Sequence, residues 1–304
     1  MNISVCITVL NEEESIGRLL DSLVAQSKKP DEIVIVDGGS KDRTIEIINH
    51  YQKRFGDIKL LKEQCSRAKG RNLGIEAAKS EIIAMTDAGC VADKHWLEKI
   101  TEPLKNDRIG VSAGFYRMIA KSSFERAEAI FLGVMPDNFD IKFLPSARSI
   151  AFRKSVWESV GGFSEKLDGA AEDTVFNFHT LKIGTRYARV KDAVVEWGVP
   201  QNLKDFFWKV FSYAKGDAKS KIWLFPGKGL ASHNIKALFV ILRYLTGVSL
   251  LFFGIKFHFL LAYLLIFFVF YLIWAYRKAG LNGVILQIVG DFAVMGGFLN
   301  GIFR

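Results

Sequence analysis

The chain is poor in the residues that build metal cages and cross-linked scaffolds. Its three cysteines, Cys6, Cys65 and Cys90, are odd in number and lack metal-ligand spacing, which argues against a disulfide framework and a zinc site. Five histidines, His50, His95, His179, His233 and His258, are too scattered to form a metal pair or a triad. No GxGxxG follows the first apolar run. TVLNEEE stands there instead, so a pyrophosphate cannot sit on the first helix as it does in dinucleotide-dependent dehydrogenases. No GxxxxGK[ST] occurs either, which removes the phosphate-loop NTPases. Met1 leads straight into NISVCITVL without a basic stretch or a cleavage site, and the amino-terminal half is expected to stay in the cytoplasm.

Charge is the other scarcity, and it is uneven. Up to about Trp197 apolar and charged residues alternate as in a soluble protein, whereas 237–255 carries only Arg243 and 257–276 has no Asp, Glu, Lys or Arg. Each run is close to the roughly 20 residues that cross a bilayer core. Together they predict a hairpin whose turn holds Lys256 and His258, with Arg277 and Lys278 returning to the basic side. That bias puts the preceding half on the cytoplasmic face of a multi-pass membrane protein. Residues 281–303 are long enough to span but contain Gln287 and Asp291, so a third helix and a re-entrant segment both stay open. Net charge is +9. Many of the basic residues fall between Lys204 and Arg243, ahead of the apolar runs, so an anionic membrane rather than nucleic acid is the expected partner.

The soluble half reads as alternating strands and helices. Ile3 to Val9 is a strand, followed by a helix with Ile16, Leu19, Leu20 and Leu23 on one face and Glu12, Glu13 and Glu14 at its positive end. A second strand over 33–36 ends at Asp37, where Gly38 and Gly39 allow a sharp turn. A helix from Thr44, a strand over 58–61, a helix over 68–78 and a strand over 82–85 follow. The last strand delivers Asp87. Strand and helix in alternation with short loops predict an α/β domain with a parallel, doubly wound sheet. Asp37 and Asp87 then end two strands on one edge, where carboxylates can bind a ribose or base N–H, or hold a divalent cation that holds phosphates. Further on, 111–118 is expected as a strand, Ser123 to Leu132 as a helix, and SARSIAFRK as a strand with Arg148 and Arg153 as candidates for phosphate or acceptor contacts. Glu172 and Asp173 open a helix whose Val175, Phe176, Phe178 and Leu181 are expected to face the core, so the two acids point toward the pocket.

Five segments in this order, ITVLNEEESI, IVIVDGGSKDRT, AKGRNLGIEAAKSEIIAMTDAGCVAD, GGFSEKL and AAEDTVFNFHTLKIG, resemble the family-2 glycosyltransferases over roughly residues 2–200. The resemblance implies a GT-A fold, a nucleotide-diphosphate sugar as donor, and transfer with inversion by a hexosyltransferase-type enzyme. It implies that Thr8, Leu10 and Glu12 wrap the nucleotide base, with Thr8 where the family usually has Pro and Leu10 where it often has Tyr. Asp37 matches the acid that contacts the base, Arg71 and Asn72 the basic helix start beneath the nucleotide, and Asp87 the first acid of the DxD motif. Gly89 replaces the second acid, so a metal (Mg or Mn) on Asp87 is the least secure of these roles. Asp93 could stand in only if its loop folds back. The GGFSEKL loop is implied to lie over the sugar, Asp173 to be the base that activates the acceptor hydroxyl, and Glu172 to orient the acceptor or its neighbour.

Three segments are therefore expected: a catalytic domain over 1–200, an amphipathic interfacial segment over 201–235, and a transmembrane region over 236–304 with two helices and, if 281–303 spans, a third. The interfacial segment carries Leu203, Phe206, Phe207, Val210, Phe211 and Ala214 at helical spacing among lysines, with Trp208 and Tyr213 suited to a bilayer interface, although packing on the catalytic domain would use the same pattern. It reads QNLKD where the family's processive polysaccharide synthases carry QxxRW, which favours transfer of a single sugar to a lipid-linked or glycan acceptor, an activity fitting a cell-envelope glycan. The competing readings are a polyprenyl-phosphate glycosyltransferase and a non-catalytic nucleotide-binding membrane scaffold.

Overall fold

A computed structural model describes residues 1–134, 136–167, 169–226 and 232–303. The chain forms two compact units. One comprises chiefly Met1–Ile119 and Val134–Gly198; the other comprises Ala120–Gly133, Val199–Phe225 and the carboxy-terminal helices. Residues 227–231, within the segment expected to be interfacial, lie outside the described residues.

The first unit is built on an eight-stranded sheet in the order β3-β2-β1-β4-β7-β6-β8-β5. Its strands are β1 (Ile3–Val9), β2 (Glu32–Asp37), β3 (Ile58–Lys62), β4 (Ile82–Met85), β5 (Cys90–Ala92), β6 (Val111–Ile119), β7 (Ile150–Arg153) and β8 (Tyr187–Gly198). The α/β class is as expected, but the sheet is mixed rather than wholly parallel. β3, β2, β1 and β4 run parallel, whereas β7 is antiparallel to β4 and to β6, and β5 is antiparallel to β8. The parallel part comes from the short strand-helix-strand crossovers through α1 (Ile16–Val24), α2 (Thr44–Arg54) and α3 (Arg67–Ala77). β8 lies parallel to β6 and antiparallel to β5, and no apolar run announces either β5 or β8.

Side-chain alternation divides the core. Ile3, Val5, Ile7 and Val9 pack with Leu19, Leu20 and Leu23 of α1 and with Trp96 and Leu97 of α4 (Trp96–Thr101). Cys6, Val34, Ile83 and Met85 point to the other side, with Ile75 of α3 and the rings of Phe152, Phe163 and Phe176. Phe163 and Phe176 stack with centroids 4.6 Å apart, which fixes the glycine turn after α6 (Lys154–Ser159) against α7 (Glu172–Lys182). On α7, Val175 and Phe176 are buried as expected. Phe178 and Leu181 are only half-buried, and the buried positions beside them belong to Asn177 and Thr180. The amide of Asn177 donates to the Pro145 carbonyl and its oxygen accepts from Tyr187, so polar groups fill that stripe without loss of hydrogen bonds.

The second unit contains α5 (Ser123–Leu132), α8 (Leu203–Ser220), α9 (His233–Gly254) and α10 (Phe259–Phe303). A capping box between Ser122 and Glu125 starts α5 where the sequence predicts it. The helix falls outside the expected 1–200 domain because Ala127 packs with Phe206 and Leu286, and Phe131 meets Phe206 edge-on at 6.1 Å. Both α9 and α10 are long and apolar enough to cross a membrane. Inside α10, Ala279 and Gly280 depart from helical geometry, Gly280 with φ of +62°. The segment beyond this break lies along α8. Gly290 comes against the Phe206 ring, and Gly297 and Gly301 against the backbone carbonyls of Phe211 and Lys215. Gly290, Gly296, Gly297 and Gly301 thus admit α8.

Candidate active site

The carboxyl edge of the parallel strands carries the residues that the sequence singles out. Val9 pairs with Asp37 across β1 and β2, and Cys6 with Met85 across β1 and β4, so Asp37 and Asp87 leave the sheet on the same edge with β1 between their strands. Asp37 is buried. One oxygen accepts from the N–H groups of Gly39 and Ser40, both at 3.0 Å, shaping the turn; the other, Oδ1, has no hydrogen-bond partner. An orphaned buried carboxylate oxygen is costly unless a ligand donor meets it.

The loop after β1 is stitched to the loop after β2. Asn11, in the left-handed region with φ of 53°, donates its N–H to Ser40 Oγ and accepts at Oδ1 from Lys41 N–H, each at 2.8 Å. Glu12 donates its N–H to Thr44 Oγ1 at 2.7 Å, and its carboxylate accepts from Ser15. Glu12 therefore holds the start of α1, Leu10 is exposed at the rim, and Thr8 Oγ1 is buried without a partner. Asn11 and Ser40 are rim residues that periodicity alone does not mark, although an Asn after a strand is a recognisable candidate for a left-handed turn.

Arg71 is the centre of the second cluster. Buried in the second turn of α3, it donates through Nη2 to Asp87 Oδ1 at 2.8 Å and through Nη1 to Glu172 Oε1. One planar guanidinium thus ties the end of β4 to the start of α7. Glu172 is itself buried, with Arg67 Nη1 at 3.9 Å. Asp173 is half-buried; its oxygens accept from Thr174 N–H at 2.8 Å and Ala147 N–H at 3.3 Å. Ala171, the residue before this pair, has φ of +70°, a conformation that costs a non-glycine residue about 1 to 2 kcal/mol and here turns the chain so that two acids open α7. Burial works to raise the pKa of Asp87, but Arg71, then Arg148 and Arg67, outweigh it and hold the carboxyl at about 2.

Asn72 has a structural use beside the expected nucleotide contact. Its oxygen accepts from Phe163 N–H at 2.8 Å and Trp157 Nε1 at 3.1 Å, and its amide donates to the Phe163 carbonyl and to Glu165. Every polar atom of this side chain is engaged by Trp157, Phe163 or Glu165, so it clamps the loop after α6. Gly162, with φ of +75°, is required there, since a Cβ would come within 2.8 Å of the Asn72 oxygen.

The antiparallel strands bring in partners for Asp87. Met85 pairs with Ile150, and continuing that register two residues sets Arg148 opposite Asp87. Arg148 Nε lies 3.9 Å from Asp87 Oδ2, and its guanidinium stacks on the Trp197 ring at 3.8 Å, with Tyr116 at 5.2 Å. Cys90 pairs with Trp197, which carries the indole to Gly89. Of these, Arg148 is a sequence-predicted candidate. Arg153 is not part of the cluster and pairs with Glu81 and Asp107.

These residues do not fit a divalent cation. Gly89 supplies no ligand, and Asp93, beyond β5, has its carboxylate 3.9 Å from Arg117. No group of three His, Cys, Asp or Glu side chains among the described residues could hold a metal. Asp87 faces two guanidinium groups. Like unit charges 4 Å apart repel by about 4 kcal/mol at an effective dielectric near 20, so each arginine opposes an added cation.

Residues 4–187 match the profile described as Glycosyl transferase family 2. The chain is 28% identical over 172 residues to glycosyltransferase AglE of Haloferax volcanii, covering 54% of this chain and 57% of AglE. It is 24% identical over 246 residues to the glucosyl-dolichyl phosphate glucuronosyltransferase of the same organism, covering 72% and 76%. The mannosyltransferase PcManGT of Pyrobaculum calidifontis, solved with GDP-Man and Mn2+, superposes with a TM-score of 0.57 at 21% identity over 72% of this chain and 62% of that one. The chain spans little more than half the length of the first curated relatives it matches. The structural likeness establishes a GT-A fold, and the Mn2+ of PcManGT makes a divalent cation compatible with that fold.

Proposed function

The chain belongs to glycosyltransferase family 2, and from that premise we propose that it transfers a single sugar, with inversion, from a nucleotide-diphosphate sugar to a hydroxyl of a lipid-linked or glycan acceptor at a membrane. The bridge of Arg71 between Asp87 and Glu172 carries this reading, because it joins the donor edge of the sheet to the helix that bears the acceptor-side acids. The nucleotide base lies along the rim of Thr8, Leu10 and Glu12, where the free oxygen of Asp37 accepts a base N–H. Arg71 and Asp87 border the diphosphate.

Asp173 is the base. Glu172 is buried and orients the Arg71 guanidinium through Oε1, whereas Asp173 stays half-exposed with its geometry fixed by two N–H donors. As the acceptor oxygen attacks the anomeric carbon from the face opposite the diphosphate, Asp173 takes the hydroxyl proton and the bond to the diphosphate breaks, so configuration inverts. A relative whose name contains glucosyl-dolichyl phosphate supports a lipid-linked sugar as acceptor, and the two apolar helices suit an enzyme held where such lipids reside.

Replacing Asp173 by Asn tests the assignment. In membranes given a panel of labelled nucleotide sugars, the variant should lose transfer by about 100-fold or more while its nucleotide affinity stays within a few-fold of the parent. Undiminished transfer removes Asp173 from the mechanism; nucleotide binding by the parent without transfer or hydrolysis favours a scaffold.

A further inference from the structure

The acid absent at position 89 and the arginine at position 148 are connected through one side chain. A Cβ built on Gly89 would lie 3.7 Å from both Cδ1 and Nε1 of Trp197, so an aspartate there would project onto the indole. That same indole carries the guanidinium of Arg148 at 3.8 Å, and Arg148 in turn stands 3.9 Å from Asp87. The space beside Asp87 is thus built around a fixed organic cation, held by cross-strand pairing on two sides: β4 with β7, and β5 with β8.

We propose that Arg148, seated on Trp197, neutralises the leaving diphosphate of the donor in place of a divalent cation, so that transfer proceeds without added metal. The inference rests on the transferase reading above. The charge balance is compatible with it: Arg67, Arg71 and Arg148 offset Asp87, Glu172 and the neighbouring Asp173, so the cluster sets no net negative charge against a dianionic or trianionic leaving group. Asp87 acts as the anchor that aligns two guanidinium planes rather than as a metal ligand. A planar, permanently charged group with several donors suits phosphate oxygens. As the bond between the anomeric carbon and the diphosphate oxygen breaks, the electron pair goes to that oxygen. A guanidinium already in position stabilises it with no reorganisation.

The test uses the full chain in detergent or native membranes. Affinities for uridine and guanosine mono- and diphosphates, together with sugar transfer, are measured in EDTA and in millimolar Mg2+ or Mn2+. The expected result is a diphosphate advantage and a transfer rate that change less than about twofold on chelation. Arg148→Met should erase that advantage, lowering diphosphate affinity about tenfold or more while monophosphate affinity, which reports an intact fold, is kept. Trp197→Leu should do the same to a smaller extent, and Arg148→Lys should retain part of the advantage. Transfer abolished by EDTA and restored by metal, with Arg148→Met leaving the diphosphate advantage intact, overturns the inference but leaves the transferase standing. Failure to bind any nucleotide or to transfer any sugar under either condition removes the transferase reading and this inference with it.

Discussion

Single residues here do their work through the charge they meet. Arg71 stands between two acids from distant parts of the chain, and its buried position makes it irreplaceable by a lysine that cannot reach both. Glu128 is the opposite case. It is fully buried on α5 with neither carboxylate oxygen hydrogen-bonded. Burial, reinforced by Glu125 and Asp205 and opposed by Lys209, pushes its pKa from 4.5 up to about 7. A raised acid pKa means the folded protein keeps a proton that the unfolded chain releases. Its favourable contribution is complete below about pH 4.5 and is lost as pH rises through 7, a change on the order of 2 to 3 kcal/mol. Glu128→Gln, neutral at every pH, should therefore raise the thermal unfolding midpoint at pH 8 and leave it unchanged at pH 4.5. Equal shifts at both pH values would assign the effect to packing instead.

At the scale of elements, contact between α8 and the last part of α10 depends on missing side chains. A Cβ at Gly297 would strike the Phe211 carbonyl oxygen and lie 3.1 Å from the Ala214 Cβ, whereas at Gly247 in α9 nothing lies within 4 Å. Gly297→Ala should cost about 1 to 3 kcal/mol through forced separation of the helices. Gly247→Ala should be neutral or stabilise by up to about 1 kcal/mol through helix propensity. Thermal unfolding in the same detergent compares the two, and matching midpoints would refute close packing of these helices. The contrast also shows what sequence can reveal about elements. The apolar runs of β1, β2 and β4 and the capping box of α5 announce themselves locally. The antiparallel pairing of β7 with β4 does not, because nothing in SARSIAFRK states its direction. Trp197 reads from sequence only as the end of the soluble half, and its role as the platform under Arg148 exists only once β8 lies beside β5. The clamp formed by Asn72 is hidden for the same reason: the turn that its amide holds lies some 90 residues further on.

For the whole molecule, the strongest constraint is the contrast between a charged amino-terminal two-thirds and helices that expose apolar side chains along nearly their full length. Phe239, Leu245, Val248 and Phe252 of α9, and Leu265, Phe267 and Phe270 of α10, are exposed, an apolar surface of the kind that suits acyl chains. Lys215, Lys219, Lys221 and Lys236 precede or open α9, while Lys256 is the lone Lys or Arg between 244 and 276. That asymmetry predicts a turn at 255–258 on the far side of the bilayer from the family-2 domain. Cysteine placement tests it in a Cys65→Ser background, since Cys6 and Cys90 are buried. An impermeant maleimide should label Lys256→Cys in intact cells, and should label Lys53→Cys, on the exposed end of α2, only after the membrane is permeabilised. The reverse pattern would invert the topology. Protection of both until permeabilisation would mean that the hairpin does not cross.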